Sequence, residues 1–231
     1  IKEEIKDSVK VSTASVQTRT IQRSHLINEI SAILGGVDDS VNVLKHLYDS
    51  TAWSDHKKFM NDSWNHLQST RLEKLESWGR TELSGLQKNC KTLFYPFSGP
   101  DFITANAFFP QAEKIIMLGL EPIGDLPKIN LWHNKEAKSY SEAFKRSLND
   151  IFNKSYFITS YMLRDFQQQK VNGLLPVLCF FIKKTGHQID AIHFLTKKND
   201  SIVEQEYDTR DNPFGVKITC SKNGITKTVY Y

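Results

Sequence analysis

The chain has only three cysteines in 231 residues, Cys90, Cys179 and Cys220, and they stand far apart. No CxxC pair and no Cys/His spacing joins them, which excludes the common zinc modules. Its seven histidines form neither HxH nor HExxH, so a helical metalloprotease centre is excluded too. There is no GxSxG, hence no hydrolase nucleophile elbow, and no GxxxxGK[ST], hence no ordinary P-loop. No apolar run reaches the length of a membrane-spanning helix. Charge of one sign is not concentrated anywhere: 30 basic and 26 acidic side chains are interleaved, for a net charge of +4. A nucleic-acid binder gathers Lys and Arg on one face, so nucleic acid is not an expected partner. Internal repeats and low-complexity tracts are also lacking.

What is present is a globular balance of 39% hydrophobic and 24% charged residues, with 14 Phe, 8 Tyr and 4 Trp to build a core. Residues 1–22 are polar, charged and rich in Ser and Thr. They read as a flexible tether, and the absence of a starting Met fits a removed leader or a trimmed chain. Residues 23–231 read as a single domain, helical over 23–90 and sheet-containing over 91–231.

In the helical part, HLINEISAILGG predicts a helix with Ser24 as N-cap and Gly35-Gly36 as its stop. VNVLKHLYD predicts a short second helix. Residues 54–87 carry the strongest helical signal: Trp53, Met60, Trp64, Leu67, Leu75, Trp78 and Leu86 recur at roughly helical spacing and form an apolar stripe. Ser54 is the expected cap and Gly79 an expected bend, while Lys57, Lys58, Arg71, Glu73 and Lys74 mark a face suited to water.

From Lys91 the texture changes. TLFYPF predicts a strand, DFITANAFF a short helix ended by Pro110, and EKIIMLGLEP a second strand, apolar on both faces as in the centre of a covered sheet. Ser139-x-x-Glu142 has capping-box spacing and opens a helical region reaching about Gln168. Asn172 is the expected cap of GLLPVLCFFIKKT, with Pro176 in its first turn and Gly186 as its end. Cys179, inside this run, reads as a small buried hydrophobe. HQIDAIHFLTK is a third strand. An acidic, turn-prone segment then leads to a hairpin whose signal is Asn223-Gly224. The order predicts an α/β fold: a Rossmann-like mixed sheet, parallel at its start, with a C-terminal antiparallel hairpin as its edge.

The stretch Thr92–Pro122 locates a candidate site. If its two strands are parallel neighbours, the turn Phe97–Asp101 and Glu121 share one rim, where open α/β sheets keep their ligand crevice. In dinucleotide and S-adenosylmethionine folds a glycine turn lets the ligand approach the backbone, and an acidic residue about twenty positions on holds the ribose. Gly99 and Glu121 have that relation. The turn has one glycine where a full fingerprint has two or three, and Tyr95-Pro96-Phe97 replaces the acidic residue that methyltransferases carry before it. Two readings therefore stand side by side. In one, Ser98, Gly99, Asp101 and Glu121 wall a small-ligand pocket. In the other, Ser98 or Asp101 caps the helix, Gly99 takes a positive φ, and Glu121 is an ordinary strand-end carboxylate. A divalent cation among Asp101, Glu121 and Asp125 is not assigned, because strand-end carboxylates are commonly solvated. Trp132 and His133 are candidates for a lid.

FYPFSGPDFITANAFFPQAEKIIMLGLEPIG, GLLPVLCFFIKKTGHQI and KNGITKTVYY together resemble a family of uncharacterised bacterial proteins, many of them predicted lipoproteins. The resemblance spans about residues 24–231. It implies a cell-envelope, extracytoplasmic location with a lipid-anchored cysteine ahead of the polar segment, and a chain that continues a little past Tyr231. It supplies no catalytic residues. The expected function is a lipoprotein-like α/β protein binding a small ligand at the crevice. One alternative is a divergent S-adenosylmethionine-dependent methyltransferase, with Gly99 admitting the cofactor, Glu121 on its ribose and Asp101 at its methionine end. The other is an envelope protein-interaction module using the helical half.

Overall fold

A computed structural model describes residues 23–38, 47, 51–128, 134–154, 171–206 and 213–231. The expected tether, most of VNVLKHLYD, Trp132, His133 and the stretch 155–168 lie outside the described residues.

The first helix, α1 (residues 23–35), ends as its paired glycines predict. Gly36 adopts φ +63°, with Gly36 N–H bonded to the Ile33 carbonyl at 3.2 Å and Val37 N–H to that of Ala32 at 2.9 Å, a Schellman closure. Ser24 lies inside the helix and donates to the Ile189 carbonyl at 3.3 Å, so it is not the expected cap. The long helical signal resolves into α2 (Thr51–Leu67), a π-helical turn Gln68–Leu72, α3 (Glu73–Glu82) and α4 (Ser84–Gln87). Ser54 is internal to α2 and not a cap. Gly79 does not break the helix. It is buried within α3, where an added Cβ would sit 3.2 Å from Gln87 and 3.5 Å from Phe108. Trp53, Met60, Trp64 and Leu67 are core, whereas Trp78 and Leu86 face outward. The extra residue of the π turn shifts the phase of the apolar stripe at that point.

Six strands form one sheet in the order β1-β2-β6-β5-β3-β4: β1 (Thr92–Tyr95), β2 (Lys114–Met117), β3 (Gln188–Lys198), β4 (Ser201–Glu206), β5 (Gly215–Lys222) and β6 (Ile225–Tyr230). β1, β2 and β6 are mutually parallel, and β6, β5, β3 and β4 alternate antiparallel. The fold is thus the expected α/β class with a Rossmann-like mixed sheet. The hairpin position differs from expectation: β5–β6 occupies the middle of the sheet, because β6 docks on β2. Asn223 and Gly224 take the positive φ values, 52° and 77°, that a type I′ turn requires. The antiparallel edge is instead β4, in the stretch whose acidic, turn-prone composition predicts a loop. Asn199-Asp200, at φ 46° and 60°, is a second two-residue hairpin of the same kind.

Register places Ile115, Val229, Ile218 and Ile192 in one row across the sheet, and Val216 beside Phe194 in the next. All are buried, and the described helices pack on this face. α5 (Phe102–Phe108) crosses from β1 to β2 over it, and Asn106 on α5 accepts from the buried Lys227 at 2.7 Å. α7 (Leu175–Lys184) is buried from Leu175 to Ile182, the pattern of a helix enclosed on all sides. Phe180 is its hub, with Trp64 at 6.5 Å, Phe144 at 5.8 Å and Phe152 at 6.1 Å between ring centroids. Phe144 and Phe152 belong to α6 (Asn134–Lys154), which begins well before the Ser139 capping box; Ser139 is internal. The opposite sheet face is not covered by any described helix. Phe94 and Ile202 stay exposed there, and on β2 itself Lys114 is exposed and Ile116 half-buried, so β2 is central in the sheet but not buried on both faces as its composition predicts.

Candidate functional site

β1 and β2 run side by side in the same direction, pairing Thr92 with Lys114 through Tyr95 with Met117. The turn after β1 and the segment after β2 therefore emerge on one rim. There Ser98 Oγ donates to Glu121 Oε2 at 2.7 Å, a contact across 23 positions of sequence. Tyr231, at the end of β6, aims its hydroxyl at the same group, 3.1 Å from Oε2 and 3.0 Å from the Glu121 carbonyl. Its ring reaches across Gly119, where a Cβ would stand 2.0 Å from the phenol oxygen. Only glycine at that position lets the third strand of the parallel set contribute to the rim.

Glu121 is 5% exposed. Oε2 accepts from Ser98 and shares the single Tyr231 hydroxyl proton with the Glu121 carbonyl, but Oε1 is buried and unpartnered. Glu121 makes no ion pair among the described residues. Its loop is held from behind: Leu174 N–H bonds to the Pro122 carbonyl at 3.0 Å and Leu175 N–H to that of Ile123 at 2.8 Å. The free N–H groups that open α7 are thereby used by this loop. Asn172 is not the α7 cap; its side chain donates to Asp125 at 3.2 Å.

The other expected site residues fall nearby with different roles. Ser98 has extended backbone angles, φ −61° and ψ 157°, but makes no cap hydrogen bond, because its hydroxyl is spent on Glu121. Asp101 makes no cap bond either. Its carboxyl is pushed up to about 6, first by burial and further by the Glu121 charge, against the pull of Arg71. Gly99 is not at positive φ, and its open side is filled by α7: a Cβ there would lie 2.2 Å from Leu174 Cδ2. Arg71, assigned by sequence to a wet face, is half-buried with Nη1 enclosed and unpartnered. It sits in the π turn and acts on Asp101 and on Tyr95, whose phenol burial pushes up to about 12.

Two hollows meet at Glu121. One, of about 310 Å³, lies between the two loops and is lined by Pro96, Phe97, Ser98, Leu118 and Leu120. The other, of about 360 Å³, opens over the uncovered sheet face, with Ile116, Leu118, Leu195, Phe214 and Tyr230 as its apolar wall and Lys114 at its far side. These sizes suit a small organic molecule. A larger hollow of about 510 Å³ on the helical side includes Arg80, Asn106, Lys184 and Lys222. Lys184 donates to Asn61 at 2.7 Å and Lys222 to the Thr185 carbonyl at 2.8 Å, and none of its lining side chains holds a buried orphan atom. Among the described residues no three His, Cys, Asp or Glu side chains gather closely enough for a metal ion.

The fold and rim define an α/β protein with a buried carboxyl group set between two ligand-sized hollows. No family model, curated protein or solved structure matches the chain. Tyr231, Gly119 and Arg71 escaped sequence reasoning. Tyr231 lies 110 positions from its partner, and only the pairing of β6 with β2 makes them neighbours. No local signal marks that pairing.

Proposed function

We propose that the chain binds a small organic ligand at the rim of β1 and β2, with Glu121 as its principal recognition group. The observation that supports this reading is Glu121, which lines both hollows and keeps its Oε1 atom buried without a hydrogen-bond partner. A buried carboxyl oxygen without a donor costs free energy, and a ligand N–H or O–H relieves that cost. Ser98 and Tyr231 fix the carboxyl plane through Oε2, so the group is set before a ligand arrives. Following the family resemblance, we place the protein in the cell envelope as a lipid-anchored domain. No described helix is long and apolar enough to cross a membrane.

The test is native mass spectrometry of the protein purified from its source, wild type against Glu121→Gln. A small molecule retained by wild type and lost from the variant supports the reading. Apo masses for both, under gentle desolvation, count against it. The methyltransferase reading draws on the same carboxyl at the end of a second parallel strand. Its cofactor needs backbone approach at Gly99, and Leu174 occupies that space. The expected outcome with S-adenosylmethionine at millimolar concentration is therefore no rise in melting temperature; a rise revives the enzyme. The interaction-module reading draws on Trp78 and Leu86, exposed on α3 and α4. Its test is capture from envelope extracts that depends on those two side chains.

A further inference from the structure

We infer that the ligand is a monoamine with an apolar body, its ammonium on Glu121 and its body laid over Ile116, Phe214 and Tyr230. This rests on the binding reading above and specifies its chemistry. Glu121 receives two neutral hydroxyl donors and no cationic side chain within ion-pair distance, although it is 5% exposed. A carboxylate so enclosed is best satisfied by a charged donor, because attraction between opposite charges strengthens as water is excluded. A neutral hydroxyl on the ligand supplies a third weak donor and leaves the charge uncompensated.

The rest of the ligand follows from the wall. The hollow of about 360 Å³ that starts at Glu121 is faced by Ile116, Leu118, Leu195, Ile202, Phe214 and Tyr230, which suit hydrocarbon or an aromatic ring. Phe214 and Ile202 are 57% and 67% exposed, so this wall has apolar area still to bury. Lys114 stands on the far side of the same hollow, its Nζ 6.0 Å from the centroid of the Tyr230 ring. A second ammonium on the ligand would meet that lysine, so the ligand carries one cation and carries it at the Glu121 end.

The experiment is calorimetric titration of the purified chain with three probes of equal length: hexylamine, hexanol and 1,6-diaminohexane. The expected order is hexylamine first, with hexanol and the diamine each at least about tenfold weaker. Two variants locate the effect, after circular dichroism confirms their fold. Glu121→Gln should abolish the amine's advantage over the alcohol. Phe214→Ala should weaken amine and alcohol by similar factors. Hexanol binding as tightly as hexylamine overturns the amine inference and leaves the pocket standing. A diamine as tight as the monoamine overturns the single-cation part. No binding by any probe up to millimolar concentration overturns the pocket reading together with the inference.

Discussion

At Glu121 two local rules compete, and the outcome defines the site. Serine in an N-cap position ordinarily turns its oxygen onto the helix that follows. Ser98 instead gives its proton to Glu121, and the short 3₁₀ turn Gly99–Asp101 and α5 go without a side-chain cap. A buried carboxyl group asks more of its neighbours than a helix end does, since hydrogen bonds to charged groups contribute about 1.5–3 kcal/mol each and helix caps about 1 kcal/mol. Tyr231→Phe should accordingly destabilise the chain by about 1–3 kcal/mol in urea unfolding, by removing one donor from Oε2. An unchanged midpoint shows that the contact is idle. Gly99 offers a separate test of what its missing Cβ is for. Its space is used by Leu174 for packing, so Gly99→Ala should cost about 1–3 kcal/mol through overpacking. A Gly99→Ala protein as stable as wild type shows instead that the turn has slack.

Between elements, the loop after β2 comes close to the entry of α7, with no room for a side chain at the crossing. Gly124 and Gly173 both take φ +69° there, and a Cβ on Gly124 would stand 1.8 Å from the Asn172 carbonyl oxygen. Gly124→Ala must separate the two segments, breaking the bond from Asp125 N–H to Asn172 at 2.9 Å. We expect a loss above about 3 kcal/mol and faster hydrogen exchange at Leu174 and Leu175, whose amides hold the Glu121 loop. A second joint sets the pH response. His56 on α2 directs Nε2 at the Ile33 and Leu34 carbonyls, 2.9 and 3.2 Å away, and so closes the C-terminal end of α1. Burial lowers its pKa from 6.5 to about 4. His187 is lowered to about 4 as well, by burial and then by Lys227 and Lys222. The unfolded chain therefore binds more protons than the folded one between about pH 6.5 and 4, and stability falls as pH drops through that window. Asp101, raised from 3.8 to about 6, works the other way: its contribution favours the fold at low pH and is lost as pH rises. Two histidines outweigh one aspartate, so net stability should fall on acidification. His56→Gln, which keeps a donor for the two carbonyls, should show a shallower fall between pH 7 and 4.5 in denaturant titrations. Equal slopes for the two proteins refute the assignment to His56.

For the molecule as a whole, the sheet has one face packed by helices and one that no described helix covers. Helices fill one face, and the other carries the apolar wall of the ligand hollow beside the ion pair of Lys217 with Glu204 at 2.7 Å. Much of this was legible in the chain. The parallel start, the α5 crossover, the buried run of α7 and the turn at Asn223-Gly224 all follow from local periodicity and turn chemistry. The side-by-side placement of Ser98 and Glu121 was legible too, because a strand, short helix and strand in succession form neighbouring parallel strands. The limits have physical causes. A π turn needs one inserted residue and carries no composition of its own, so Arg71 read as surface. β4 is a short edge strand whose two apolar residues, Ile202 and Val203, are adjacent and followed by three polar ones, so no alternation marks it and it resembles a loop.

The sequence by itself determined most of the helices and strands, β4 excepted, where the first two strands end, and that Glu121 leaves the sheet beside the Ser98 turn. Those outcomes depend on residues close together in the chain. Tertiary structure decided that β6 lies against β2, that Tyr231 therefore reaches Glu121 across Gly119, and that Leu174 takes the space beside Gly99. Each of these joins residues 75 to 114 positions apart, and such contacts arise only when the buried row Ile115–Val229–Ile218–Ile192 aligns under the helices. The register of that row is fixed by the burial of a whole face and by no single residue.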